Sequence, residues 1–381
     1  MKIAMLGHKR IPSREGGIEV VVEEISVRMV KMGHSVTCYN RSGHHISGKE
    51  FDVEKQSEYK GVKLNRVPTI QRKGLAAVSS SFFGSVFCAL GKYDIIHYHA
   101  EGPCVMIWLP KLFHKRCIVT VHGFDWKRAK WGGLSSRYIK FGEKMAVRFA
   151  DEIMVFSTEM QEYFQSTYQR ETRIVPNGVN RPVLRNPDMI RQKYGLNNND
   201  YFLYVGRLVP EKGIHYLLRA YKEIRTDKKL VIAGGTSDTD QYVKELKELA
   251  GGNPDIIFTG FVQGRELEEL YSNAYLFCLP SDLEGMPLSL LEAMSYGNCC
   301  VVSDIAECKG VVEDKGFTFR RGNIEELGNV LQKLSDHPDI VCDMKKDAAD
   351  FICSKYSWDE SVEKLLAIYM NKDRDNENPD D

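Results

Sequence analysis

Two stretches decide how this chain is read: Gly206-Arg-Leu-Val-Pro-Glu-Lys-Gly213 and Glu284-Gly-Met-Pro-Leu-Ser-Leu-Leu-Glu292. Each follows a short unbroken apolar run, Tyr201–Val205 before the first and Leu276–Leu279 before the second. Such runs suit strands covered on both faces, and a loop and then a helical pattern follow each one. The first stretch sets an arginine and a lysine among glycines. The second sets two carboxylates eight residues apart, Glu284 in a loop and Glu292 inside the helix that begins near Leu288. Strand–loop–helix units build parallel sheets, and open parallel sheets bind ligands at the carboxyl ends of their strands.

The same alternation extends outward in both directions. Leu230–Ala233, Ile256–Thr259 and Cys300–Val302 read as further strands, with helices opening near Gly213, Asp240 and Arg265. Upstream, Ile3–Gly7, Ser35–Tyr39, Val62–Val67, Asp94–Tyr98, Cys117–His122, Glu152–Phe156 and Arg173–Pro176 are strand candidates. The expected fold is α/β: two doubly wound, Rossmann-like domains facing each other across a cleft. The boundary falls between Val175 and Tyr201, in a stretch rich in proline and turn residues, giving domains over residues 1–180 and 200–356. A last helix over residues 357–370 has Ser357 as N-cap with Glu360 three residues on. Its stripe of Val362, Leu365, Leu366 and Tyr369 is placed to pack back on the first domain. Residues 371–381 are almost wholly polar and read as a disordered tail.

Composition narrows the partners. A length of 381 residues fits two ordinary domains. The net charge is zero, yet residues 1–190 carry 29 Lys and Arg against 18 Asp and Glu, while the rest carry 23 against 34. A basic first half suits anionic lipid or a phosphorylated substrate. Nucleic acid is disfavoured, since zinc-finger spacing and single-strand stacking motifs are missing. Ten cysteines without a CxxC pair, among them Cys38, Cys88, Cys117, Cys278 and Cys299 in apolar runs, read as buried thiols in a reducing compartment. Met1-Lys-Ile-Ala-Met-Leu-Gly7 reads as a first strand and not as a leader. The uncharged segment Gly74–Gly91 reads as a crossover helix, partly exposed at a membrane face.

Candidate chemistry collects at the strand ends. Gly16 and Gly17, in Lys9-Arg-Ile-Pro-Ser-Arg-Glu-Gly-Gly-Ile-Glu19, can bring backbone amides to an anion at a helix start. A plain tight turn explains the pair as well. His97, His99 and Glu101 follow one strand, and His122 stands in Thr120-Val-His-Gly-Phe-Asp125, where Gly123 leaves room for a ligand. A metal reading of these histidines is set aside because they have no helical HxxxH frame. Arg207 can clamp a diphosphate and Lys212 adds a compact charge. Glu292 is reachable from a ribose, and Glu284 sits deeper. Asp238-Thr-Asp240 reads as a helix cap and no metal is assigned to it. Lys127, Arg128, Lys130, Arg137, Lys140, Lys144 and Arg148, interspersed with Trp126, Trp131, Tyr138, Phe141 and Phe149, can lie in an anionic membrane interface or form an ordinary charged helix face. Cations for a diphosphate and carboxylates for hydroxyl pairs suit a sugar nucleotide.

Taken together, the Gly206–Gly213 and Glu284–Glu292 runs resemble the retaining glycosyltransferases of the GT-B fold, family 4. The Gly7–Glu19 run is similar to bacterial rhamnosyltransferases that build capsular or cell-wall polysaccharide. The resemblance implies that Gly16 and Gly17 contact the donor diphosphate or sugar, and that His122 touches a donor hydroxyl. It implies that Arg207 and Lys212 neutralise the leaving diphosphate, that Glu284 orients the sugar, and that Glu292 binds the ribose. Backbone amides around Met286, Leu288 and Ser289 would complete the phosphate cradle. The family often has glycine at the position of Pro287, which has no N–H to give, and a Gly-Gly where Asp304-Ile-Ala-Glu307 stands. The implied donor is dTDP-L-rhamnose or a UDP-hexose, with no metal or other cofactor required. The implied acceptor is a polyprenyl diphosphate-linked saccharide at the inner face of a membrane, so the protein is expected in the cytoplasm, peripheral to that membrane. A sugar-nucleotide epimerase and a non-catalytic sugar-nucleotide sensor remain as rivals. A nicotinamide dehydrogenase does not fit, because Gly-x-Gly-x-x-Gly is missing.

Overall fold

A computed structural model describes residues 1–45, 47–48, 51–52, 56–72, 74–127, 133–236 and 239–370. The chain forms two compact units. Met1–Asn177 joins with the closing segment from Trp358, and Gly178–Ser357 forms the other unit.

In the first unit the strands are β1 (Lys2–Leu6), β2 (Ser35–Arg41), β3 (Glu58–Tyr59), β4 (Val62–Val67), β5 (Ile95–His99), β6 (Arg116–Thr120), β7 (Glu152–Val155) and β8 (Arg173–Ile174). They lie in the order β3-β4-β2-β1-β5-β6-β7-β8, parallel except for the β3–β4 pair. Ile3, Ala4, Met5 and Leu6 are all buried, which is why the first strand reads as an unbroken apolar run. The strand order reverses at β1, between β2 and β5. That reversal opens a crevice at the carboxyl ends of β1 and β5.

The second unit holds β9 (Tyr201–Val205), β10 (Lys229–Ala233), β11 (Ile256–Gly260), β12 (Leu276–Leu279), β13 (Cys299–Ser303) and β14 (Phe317–Phe319). Their order is β11-β10-β9-β12-β13-β14, all parallel, and the reversal falls at β9, between β10 and β12. The Gly206–Gly213 loop leaves β9 and the Pro280–Pro287 loop leaves β12, so this reversal brings the two informative stretches side by side. Gly213 makes the approach possible. Its φ is +65°, and a Cβ there would lie 2.0 Å from the Pro280 carbonyl oxygen.

The helix Leu75–Leu90 is inverted relative to ordinary amphipathic packing. It buries Ser79, Ser81, Gly84, Ser85, Cys88 and Ala89, while Leu75, Phe82, Phe87 and Leu90 are exposed. Small residues let the helix approach the sheet closely, and hydroxyls such as Ser81 are satisfied by the carbonyl one turn back. No described helix is long and apolar enough to cross a membrane.

The last helix, Trp358–Tyr369, belongs to the first unit. It buries Val362, Leu365, Leu366 and Tyr369, and Ser361 Oγ donates to the Pro176 carbonyl. Residues 371–381 lie outside the described residues, as do Arg128, Lys130, Trp131 and Asp238. Within the Asp238–Asp240 triplet, Thr239 is the N-cap, without a side-chain cap bond. Asp240 is the first residue inside its helix, and its carboxylate accepts from Thr236 Oγ at 2.9 Å. The five cysteines singled out above are buried free thiols, and burial pushes Cys117 and Cys299 up to about 12.

Candidate active site

The strand reversal in the second unit sets the strongest constellation. Lys212 ends a short 3-10 turn, Pro210–Lys212, in the loop after β9. Its Nζ lies 2.5 Å from Glu284 Oε1. Ser281 Oγ donates to the same oxygen at 2.6 Å, and Ser303 Oγ holds the Ser281 carbonyl. Glu284 is buried and Lys212 is largely so. The sequence presents Glu284 and Lys212 as separate contributors; the structure joins them directly. Arg207 stands in the same loop, where Tyr204 OH donates to its carbonyl at 3.1 Å.

Glu292 lies in the second turn of the helix Leu288–Ser295 and is half-buried. Tyr271 OH donates to its Oε2 at 3.3 Å, and the Tyr271 ring stacks on Tyr296. Pro287 is the N-cap of this helix. Leu288 and Ser289 are its first two residues, where N–H groups have no partner within a helix. Met286 precedes them, half-buried against the core.

Sequence reasoning missed Ser281, Asp282, Tyr216 and Glu211. Tyr216 OH donates to Asp282 Oδ2 at 3.2 Å, and burial pushes the Asp282 carboxyl above its usual range. Glu211 is buried, and neither carboxylate oxygen has a hydrogen-bond partner among the described residues. The available signal was position: Glu211, Ser281 and Asp282 lie in the loops that leave β9 and β12, and Tyr216 lies in the first turn of the helix Ile214–Glu223.

In the first unit the Gly16-Gly17 loop is held from below. Asn40 accepts from the Ile11 N–H and donates to the Ile11 carbonyl, and His8 Nε2 meets Asn40 Oδ1. Burial drives His8 down to about 4, so its ring is neutral. Gly16 caps the helix Gly17–Lys31 in extended conformation. A Cβ at Gly16 would lie 2.9 Å from Glu19 Oε2, and Glu19 Oε1 takes the Lys9 N–H. The glycine therefore makes room for Glu19, while Gly17 sits exposed at the helix start.

His122 lies two residues beyond β6, not within a strand, and its ring packs edge-on against Phe156. Its Nε2 lies 3.0 Å from His99 Nδ1. His97 meets Thr120 Oγ1 and Tyr369 OH, and burial drives it down to about 3. Among the described residues no group of His, Cys, Asp and Glu is arranged to hold a metal ion.

The basic aromatic segment is partly an internal structure. Glu143, on the helix Gly133–Phe149, is fully buried. It accepts from Trp126 Nε1, Lys140 Nζ, Tyr163 OH and Tyr168 OH. Trp126 and Lys140 therefore turn inward and cannot serve as interface anchors. The outward face of that helix is Leu134, Arg137, Phe141, Lys144 and Arg148, spaced as one helical stripe.

Known proteins agree with this architecture. The family model "Glycosyltransferase Family 4" matches residues 15–181, and "Glycosyl transferases group 1" matches residues 187–351. An uncharacterised glycosyltransferase of Methanocaldococcus jannaschii is 27% identical, over 97% of this chain and 98% of its own length. The UDP-Gal:alpha-D-GlcNAc-diphosphoundecaprenol alpha-1,3-galactosyltransferase of Escherichia coli is 28% identical, over 74% of this chain and 76% of its own. Among solved structures, Anabaena HepE in complex with UDP and glucose superposes with a TM-score of 0.80 at 19% identity, covering 97% of this chain and all of that one. The two Rossmann-like units are those of the GT-B fold. The chain is a glycosyltransferase of that type, its first half matching the family 4 model and its second half the group 1 model.

Proposed function

We propose that the chain transfers a sugar from a nucleoside diphosphate donor to a lipid diphosphate-linked saccharide, with retention of anomeric configuration and without a divalent ion. The observation that carries this reading is Lys212 held against Glu284 beside Arg207, at the strand reversal of the second sheet. In the reaction the bond from the sugar C1 to the donor phosphate oxygen breaks. The acceptor hydroxyl oxygen bonds to C1 on the same face, and its proton passes to the departing phosphate. Charge grows on the diphosphate as it leaves, where preorganised cations act most strongly. Arg207 and Lys212 take that role, with the Met286, Leu288 and Ser289 amides beside them. Glu284 orients sugar hydroxyls and Glu292 the ribose. The first unit takes the acceptor; in this reading Gly16 and Gly17 contact the donor diphosphate or sugar, and His122 a donor hydroxyl.

The sugar proposed is L-rhamnose from dTDP-L-rhamnose, on the strength of the Gly7–Glu19 run. A UDP-hexose donor is the second reading, favoured by the names of the Escherichia coli relative and of the Anabaena complex. A competition assay decides between them. The purified protein is given dTDP-L-rhamnose, UDP-glucose and UDP-N-acetylglucosamine with a short lipid-diphosphate sugar, and product is read by mass. Rhamnose should be transferred, as a β-L-rhamnoside, at the same rate with EDTA present. Preferred transfer of a UDP-sugar would exclude the rhamnose assignment. Loss of activity with EDTA, restored by one metal, would exclude the metal-free reading.

A lipid-linked acceptor brings the enzyme to a membrane, and the first unit carries a surface suited to one. Leu134 and Phe141 are 82% and 50% exposed among Arg137, Lys144 and Arg148. A hollow lined by Trp108, Lys111, Leu112, Met145 and Phe149 adjoins this helix. The helix Trp108–Lys111 packs in turn on the inverted helix Leu75–Leu90. Apolar side chains rimmed by cations match an anionic bilayer interface. Changing Arg137, Lys144 and Arg148 together to Glu should weaken binding to phosphatidylglycerol vesicles by about a hundredfold, at roughly 1 kcal/mol for each cation removed. Salt should mimic the change. Undiminished vesicle binding would move the contact to the apolar face of Leu75–Leu90.

A further inference from the structure

Glu211 lies among the residues assigned to the donor and has no part in the Lys212–Glu284 pair. It precedes Lys212 in the turn Pro210–Lys212, and its backbone carbonyl takes the Asp282 N–H at 2.8 Å. Residue 211 therefore stands where the loop after β9 meets the loop after β12. The residue is 8% exposed, and both carboxylate oxygens are buried with no hydrogen-bond partner among the described residues.

A carboxylate taken out of water needs donors, and a buried acid without one is a costly exception. Elsewhere this chain satisfies its buried acids. Glu143 receives four donors, and Glu269 takes the N–H groups of Met189 and Ile190 together with Arg265 Nε. Around Glu211 the donors are turned to other acceptors. Lys212 is held by Glu284. Two phenols lie close enough to feel the Glu211 charge: burial pushes Tyr204 and Tyr242 up, and Glu211 adds to the push on each. Yet Tyr204 OH donates to the Arg207 carbonyl at 3.1 Å. The Tyr242 hydroxyl meets His215 Nδ1 at 2.8 Å and the His215 N–H at 3.4 Å.

We propose that Glu211 is a further donor-binding residue, whose carboxylate accepts hydrogen bonds from hydroxyl groups of the nucleotide sugar. This rests on the reading of these two loops as the site of a nucleoside diphosphate donor. The chemistry narrows the partner. An ionised carboxylate only accepts, so it repels phosphate oxygens and suits O–H groups. Ribose and the transferred sugar are the parts of such a donor that carry hydroxyls. Lys212 draws the diphosphate, and an anion fixed at the preceding residue keeps phosphate from its own place. Glu211 thus selects the orientation of the donor as well as its hydroxyls. The carboxylate is held at a cost to the empty protein, and a ligand that supplies the donors relieves it.

That cost gives the test its sign. Without ligand, Glu211→Gln and Glu211→Leu should each melt no lower than the unchanged protein, since the uncompensated charge is gone. Calorimetry is then run on all three proteins with dTDP, UDP, dTDP-L-rhamnose and UDP-glucose. Glu211→Leu should bind the donor at least about tenfold more weakly, the worth of one hydrogen bond to a charged group. Glu211→Gln should lose less, since its amide keeps one acceptor oxygen. A loss already present with dTDP or UDP places the contact at the ribose. A loss seen only with the whole nucleotide sugar places it at the transferred sugar. Unchanged affinity of both variants for every ligand would overturn the proposal. So would weaker binding accompanied by a lower melt in both variants, which would assign Glu211 to holding the loop. Failure of the unchanged protein to bind any of these ligands would instead overturn the donor reading beneath it.

Discussion

Lys212→Ala should lower sugar transfer by about two to three orders of magnitude, roughly 2.7 to 4 kcal/mol in the barrier, and Arg207→Ala by about one to two orders. The difference follows from where Lys212 sits. Its ammonium lies 2.5 Å from Glu284 Oε1, and both side chains are largely removed from water. Removing it takes a cation from the departing diphosphate and also leaves the Glu284 carboxylate, with Ser281 Oγ still donating, short of its counter-charge. Arg207 shares the loop but supplies a guanidinium whose loss leaves the Lys212–Glu284 pair standing. The measurement is single-turnover transfer with saturating donor, beside a thermal melt of each variant. A double-mutant cycle separates the two effects of Lys212. If the buried carboxylate carries part of the loss, Lys212→Ala with Glu284→Gln should cost less than the two changes summed. Near-normal turnover in both single variants, with melts unchanged, would remove the diphosphate role from this loop.

The architecture was legible where burial left a continuous apolar run. Tyr201–Val205 and Leu276–Leu279 have the bounds that their sequences imply, and so does Val62–Val67, where exposed Lys63, Asn65 and Arg66 interrupt the apolar residues. The edge strands Glu58–Tyr59 and Phe317–Phe319 were not visible, because so short a strand exists only through its pairing with a longer neighbour. The site was half legible. Strand-end position marked Arg207, Lys212 and Glu284 as candidates. The ion pair between residues 72 apart in sequence needed the strand order, which sets β9 beside β12. The inward turn of Trp126 and Lys140 is hidden in the sequence because cations dominate the pattern of that segment. The contrary signal was one acid, Glu143, standing on the same helical face as Ile139, Gly142 and Ala146, all buried. A carboxylate on a buried face must find donors, and here it finds four. The His99–His122 contact was equally out of reach, since two strand-end residues gain a shared hydrogen bond only once β5 pairs with β6.

Glu284→Gln and Glu292→Gln should separate catalysis from nucleotide binding. Glu284 receives Lys212 and Ser281 at one oxygen, Oε1, and lies at the strand reversal where the sugar is expected to rest. Glutamine keeps the size and one acceptor but removes the charge. Lys212 then loses its anchor, and the sugar hydroxyls lose an acceptor that strengthens as positive charge develops at C1. Turnover should fall about a hundredfold, with affinity for free nucleoside diphosphate changed less than about threefold. Glu292 is set apart by its partner, since Tyr271 OH donates to Oε2 at 3.3 Å and a glutamine carbonyl can accept the same bond. The protein part of that contact survives the substitution, so a loss reports on the ligand. A carboxylate that accepts from a ribose hydroxyl pair offers two charged acceptors, and the amide offers one neutral one. Free nucleotide should bind about tenfold more weakly to Glu292→Gln, close to 1.4 kcal/mol, with turnover of saturated enzyme changed little. Calorimetry with the nucleotide alone and turnover at saturating donor give the two columns. Equal loss of nucleotide affinity in both variants would mean that Glu284 also reads the nucleotide, and the division of labour between the two carboxylates would fall.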